Sequence, residues 1–66
     1  MIDLETIYKR LGGPIQVAVE LKLHQWTVER WRVQGIPQKH WDYITKKLKD
    51  VTVSDIYAIN KRIKSK

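Results

Sequence analysis

Residues 11–37, LGGPIQVAVELKLHQWTVERWRVQGIP, decide how this chain folds. Gly12 and Gly13 stop a preceding helix. Pro14 stands where a first helical residue belongs, because its missing N–H is not needed there and its φ is already helical. Val17, Ala18 and Leu21 follow at helical spacing as an inner face, with Ile15 close by. Lys22-Leu23-His24 is a tight connector. A further helix runs from about Gln25 to Val33, with Val28 and Trp31 as its buried pair, and Gln34-Gly35 ends it.

The flanking segments complete an all-α pattern. Upstream, Asp3 is a natural N-cap, Leu4, Ile7 and Leu11 recur at helical spacing, and Glu5 and Lys9-Arg10 suit the two ends of the helix dipole. Downstream, Ile36-Pro37 opens a fourth helix with Pro37 at its first position, and Trp41, Ile44 and Leu48 form its stripe. Lys49-Asp50 breaks that pattern. Thr52 with Asp55 reads as a short capping box for a fifth helix, with Val51 and Ile56 as the staple and Val53, Ile56, Ile59 and Ile63 as the stripe. Val51-Thr52-Val53 also alternates and is β-branched, with a short strand as the alternative there. The expectation is a compact bundle of about five short helices, with residues 1–63 as one domain and 64–66 as a frayed basic tail.

Composition restricts the function. Of 66 residues, 42% are apolar or aromatic and 30% are charged, a balance that supports a packed core. Cys is absent, which excludes a disulfide framework and a Cys-based zinc site. His24 and His40 have no ligating companions, so no metal and no cofactor are expected. No apolar run approaches ~18 residues. The start MIDLETIYKR lacks the layout of a signal peptide, so a cytoplasmic location is expected. Enzyme motifs are missing: there is no phosphate loop, no His-x-x-x-His, and Ser54 and Ser65 lack a nucleophile-elbow context. A domain this small also offers little room for a pocket of ~300 Å³. No enzymatic activity is expected.

Thirteen Lys and Arg against seven Asp and Glu give a net charge of +6. Residues 1–36 carry +1 of this and residues 37–66 carry +5. Such an excess in a small domain points to a polyanion, with solubility alone as the plain alternative. No single basic amphipathic helix directs it to a membrane.

Helices two and three with their connector read as a helix-turn-helix. Ala18 is the small residue at the close crossing, and Val17, Leu21, Leu23, Val28 and Trp31 are the apolar lock. On these residues, and on Val28, Trp31, Ile36 and Pro37 with the following KHWDYI, residues 4–48 resemble the Cro-like phage and prophage repressors, small helix-turn-helix DNA-binding proteins of the lambda-repressor type. The family usually has Gly in the turn where Lys22 stands, and a non-Gly residue at left-handed angles costs on the order of 1 kcal/mol.

The resemblance implies a sequence-specific regulator of double-stranded DNA, a repressor in a bacterial host cell and associated with the nucleoid. It implies a helix at about 25–33 lying in the major groove of an operator, with two copies on a pseudo-palindrome. By resemblance, Gln25, Trp26, Thr27, Glu29 and Arg30 occupy the base-reading positions. Their chemistry agrees: Gln pairs with adenine, Arg with guanine, Glu accepts from cytosine or holds Arg30, and Trp26 and the Thr27 methyl suit thymine methyls. Each has an ordinary alternative as a solvated surface residue, and Trp26 has a second one, folding back onto helix one.

Gln16, Arg32, Lys39 and His40 flank the reading helix as candidate phosphate contacts. Neutralising six phosphates would give log affinity against log salt a slope of roughly −5. Trp31 and Trp41 read as core, and Tyr8, Tyr43 and Tyr57 as half-buried rings with wet hydroxyls. His24 reads as the N-cap of helix three. A homodimer, formed through Val53, Ile56, Tyr57 and Ile59 or only on DNA, is the expected assembly. Two other functions fit the same fold: a protein-interaction module such as an antitoxin or adaptor, and a nonspecific architectural DNA-binding protein.

Overall fold

The computed structural model describes residues 2–65. The chain is an all-α bundle, with no strand among the described residues. Its Cα radius of gyration of 10.8 Å is that of one closed globule of this length, about 11 Å. Six helical segments build it: α1 (Leu4–Arg10), α2 (Pro14–Leu21), α3 (Gln25–Glu29), α4 (Trp31–Gln34), α5 (Trp41–Lys47) and α6 (Val53–Lys64), with a 3-10 turn at Gln38–His40 before α5.

Local chemistry sets most boundaries. Asp3 Oδ1 accepts the Thr6 N–H at 2.8 Å and starts α1. Gly12, at φ +98°, closes it: Gly12 N–H donates to Lys9 O and Gly13 N–H to Tyr8 O at 2.7 Å. Pro14 is the first residue of α2. The end of α2 repeats the same closure without glycine. Lys22 adopts φ 57° and ψ 42°, Lys22 N–H donates to Val19 O, and Leu23 N–H donates to Ala18 O at 2.8 Å. At the other end of the chain Thr52 and Asp55 exchange the two bonds of a capping box, at 3.0 and 3.2 Å. Val51 and Ile56 are both buried on either side of that cap.

The core runs through all segments: Leu4, Ile7 and Tyr8 from α1, Val17 and Ala18 from α2, Val28 and Trp31, then Ile36, Ile44, Leu48, Val51, Ile56 and Ile59. Several expectations are corrected. The helix at 25–33 is two pieces, interrupted at Arg30. The Tyr8 hydroxyl donates to the Val28 carbonyl, the acceptor that an unbroken helix would give to the Arg32 N–H. Tyr8 is therefore buried, with its hydroxyl bonded to protein and not to water.

Pro37 does not open a helix. It is extended at ψ 140°, and α5 begins at Trp41. The Ile36 backbone before it is bonded to Asn60 instead. Ile15 is exposed, because it projects from the side of α2 and not from its inner face. Val53 is exposed and lies outside the buried stripe, whereas Val51, ahead of the cap, is buried. The Val51–Val53 alternation is a helix start, not a strand. Lys64 is the last residue of α6, and Ser65 Oγ donates to Arg62 O. Met1 and Lys66 lie outside the described residues.

Candidate nucleic-acid interface

Val28 and Trp31 fix which way α3 and α4 face. Both are buried. Stepping 100° per residue from them puts Trp26, Glu29, Arg30 and Val33 on the opposite side. Trp26 is 63% exposed and Val33 77%, so Trp26 does not fold back onto α1. Arg30 is exposed and forms no ion pair among the described residues. Gln25 and Thr27 are exposed beside them. The result is an outward ridge of apolar, cationic and apolar side chains at i, i+4 and i+7, with amide and hydroxyl groups at its N-terminal end.

Three devices hold this ridge in place. His24 caps α3: its Nδ1 accepts the Trp26 N–H at 3.2 Å. The left-handed Lys22 sets the turn before it. On the inner side the Tyr8 hydroxyl bonds Val28 O, and the Tyr8 and Trp31 rings stack with centroids 6.4 Å apart. Burial pushes the Tyr8 phenol well above its ordinary range, so it stays a protonated donor at neutral pH.

Arg32 is committed elsewhere. Its Nε and Nη2 donate to the Glu5 carboxylate at 2.6 and 3.2 Å, and its guanidinium lies over the Tyr8 ring at 4.9 Å. The Glu5 bond raises its pKa further. Glu29 leans to Arg32 Nη1 at 3.5 Å and not to Arg30. Arg32 thus ties α4 to α1, with its guanidinium paired to Glu5.

The other flanking residues divide. Lys39 is exposed on the 3-10 turn. His40 is half-buried against Trp31, with centroids 5.6 Å apart, and burial followed by the Lys39 charge lowers its pKa. Gln16 is exposed on α2, and its amide reaches Glu20 at 3.4 Å. Lys47 holds that Glu20 at 3.0 Å, and this bond, then Gln16, keeps the carboxyl below its ordinary range. The pair also links α2 to α5.

The expected dimer surface is reduced. Ile56 at 0% and Ile59 at 2% exposure belong to the core of one chain, because the staple and stripe turn them inward. Only Val53 and Tyr57 of that set are exposed. Tyr43 is half-buried with its hydroxyl covered, and burial followed by the nearby Glu20 charge raises its pKa.

Two features were not anticipated from the sequence. Asn60 clamps the Ile36 backbone, accepting its N–H at 2.7 Å and donating to its carbonyl at 2.9 Å, while the Trp41 indole N–H shares that carbonyl. The signal was a polar residue four positions after Ile56, on the inward stripe. The second is an open groove of about 640 Å³ between Gln34–Gln38 and α6, larger than the chain length led us to expect. Lys61 and Lys64 line it. No protein-family model, no curated protein and no solved structure matches this chain.

Proposed function

We propose that the chain is a sequence-specific double-stranded DNA-binding regulator, a Cro-like repressor that sets the α3–α4 segment in the major groove. The observation that carries this reading is the outward ridge of Trp26, Arg30 and Val33, with Arg30 free of any ion pair among the described residues. The net charge of +6 supports it. Arg30 is the guanine reader, Gln25 the adenine reader, and Trp26 with the Thr27 methyl meets thymine methyls. Lys39 is a phosphate contact unpaired among the described residues, while Gln16, bonded to Glu20, Arg32, bonded to Glu5, and His40, set against Trp31, are partly engaged ones.

The mechanism is steric occupation of an operator, which blocks polymerase or a competing regulator. One domain of this size reads only a few base pairs, so two copies bind half-sites about one helical turn apart. Pairing takes place on DNA, with Val53 and Tyr57 as the surface left on α6.

A protein-interaction module is the second reading, and the exposure of Ile15 and Val19 on α2 favours it. Fluorescence titration with duplex DNA near 150 mM salt separates the two, since nonspecific binding is weak there. A regulator responds to duplex, and Gln25→Ala or Arg30→Ala erases its preference between sequences. An architectural protein loses affinity with those changes but had no preference to lose. An interaction module does not respond to duplex at all.

A further inference from the structure

The two flanks of the α3–α4 ridge differ in charge. Relative to the outward direction of Trp26, Glu29 and Arg32 fall to one side and Thr27 and Gln34 to the other. The first flank meets α1 and is occupied by carboxylates: Glu5 and Glu29 both engage Arg32. The second flank opens into the groove of about 640 Å³ between Gln34–Gln38 and α6. No Asp or Glu lines that groove among the described residues. Lys61 and Lys64 are exposed there and form no ion pair among the described residues.

From this asymmetry we infer that the groove is a phosphodiester-binding site, in which Lys61 and Lys64 of the C-terminal helix hold the backbone of the duplex that the ridge reads. The inference rests on the DNA reading of α3–α4 given above. A polyanion seated on the ridge meets a cation already paired, Arg32, on the α1 flank and these two unpaired lysines on the α6 flank. Gln34 and Gln38 offer amide donors along the groove wall. Two phosphate contacts expected near the ridge are weakened by internal pairing, Arg32 with Glu5 and His40 with Trp31. Lys61 and Lys64 supply two in their place. The Asn60 clamp fixes the Gly35–Ile36 wall against α6, so the groove is built before DNA arrives.

The test is the salt dependence of binding to a random-sequence duplex and to a selected one. Each neutralised phosphate contributes about −0.9 to the slope of log affinity against log salt. The double variant Lys61→Gln, Lys64→Gln is expected to be shallower by about 1.8, with the selected motif unchanged. The double variant Lys46→Gln, Lys49→Gln removes the same charge from exposed positions outside the groove and is expected to keep the wild-type slope. Equal slopes for wild type and the groove variant, or the same flattening in both variants, would overturn the inference and leave the DNA reading standing. A wild-type protein that binds neither duplex at low salt would overturn the DNA reading, and the inference with it.

Discussion

Asn60 on α6 satisfies both backbone polar groups of Ile36, with its Oδ1 on the N–H at 2.7 Å and its Nδ2 on the carbonyl at 2.9 Å. One side chain thus replaces the helix that Pro37 was expected to start. Gly35 accommodates it: at φ +86° an added Cβ would lie 2.9 Å from Asn60 Oδ1.

Losing two partly buried hydrogen bonds at once is expensive, because the Ile36 groups are left unpaired. Asn60→Ala is expected to cost about 2 kcal/mol. That corresponds to a drop in Tm of roughly 10 °C for a domain this small. Gly35→Ala is expected to be destabilising in the same direction, through both the positive φ and the contact with Asn60. Thermal unfolding followed by circular dichroism reads both. An unchanged Tm for Asn60→Ala would mean that the turn holds without the clamp.

Tyr8 bonds the Val28 carbonyl beside the break between α3 and α4. Tyr8→Phe keeps the ring against Trp31 and removes only the donor to Val28 O. The freed carbonyl becomes available to the Arg32 N–H, so α3 and α4 are expected to join. Amide exchange at Arg32 should slow relative to its neighbours, while global stability falls by about 1 kcal/mol. Unchanged exchange at Arg32 would show that the interruption at Arg30 has another cause.

The turn between α2 and α3 holds a lysine at left-handed angles, φ 57°. Lys22→Gly is expected to raise stability by roughly 0.5–1 kcal/mol, since Gly occupies that region at no steric cost. His24→Ala, by contrast, removes the α3 cap and is expected to cost about 1 kcal/mol, with His24→Ser restoring it. Denaturant midpoints at a constant m-value test the three variants together.

His40 gives stability a pH dependence. Its pKa is lowered by burial against the core and by Lys39. The unfolded chain therefore takes up this proton at a higher pH than the folded one does. The contribution is fully present above the ordinary histidine value near 6.5. It is lost as pH falls from there through the lowered folded value. His40→Gln should flatten that portion of a stability–pH curve. An identical slope in the variant would assign it to another group.

The helix ends were legible because their causes are local. Asp3, Gly12, Pro14 and the Thr52–Asp55 box each act within a few residues, and the Val28–Trp31 spacing was enough to orient the ridge. What escaped the sequence depends on partners far along the chain. Glu5 reaches Arg32 across 27 positions, Asn60 reaches Ile36 across 24, and Tyr8 reaches Val28 across 20. Periodicity gives the face of a helix, not the acceptor its neighbour offers. Arg32 accordingly looked like a free cation and Gln25–Val33 like one helix. Ile56 and Ile59 were correctly put on the stripe of α6, and that same stripe makes them core and removes them from any surface contact.

Arg30 and Arg32 stand two positions apart with different partners, and they offer a direct contrast. Arg32→Ala breaks a half-exposed pair with Glu5 and a contact over the Tyr8 ring, and is expected to cost under about 1 kcal/mol of stability with base preference intact. Arg30→Ala is expected to leave stability within about 0.5 kcal/mol. It should weaken discrimination at one base pair by about 1–3 kcal/mol.

The most direct measurement is selection of wild-type protein against a random duplex library near 150 mM salt, where nonspecific affinity is weak, followed by sequencing. The account predicts an enriched inverted repeat with half-sites about one helical turn apart, each holding a guanine whose preference disappears in Arg30→Ala. No enrichment from a protein that unfolds cooperatively would contradict it and leave the exposed Trp26 and Val33 to a protein partner.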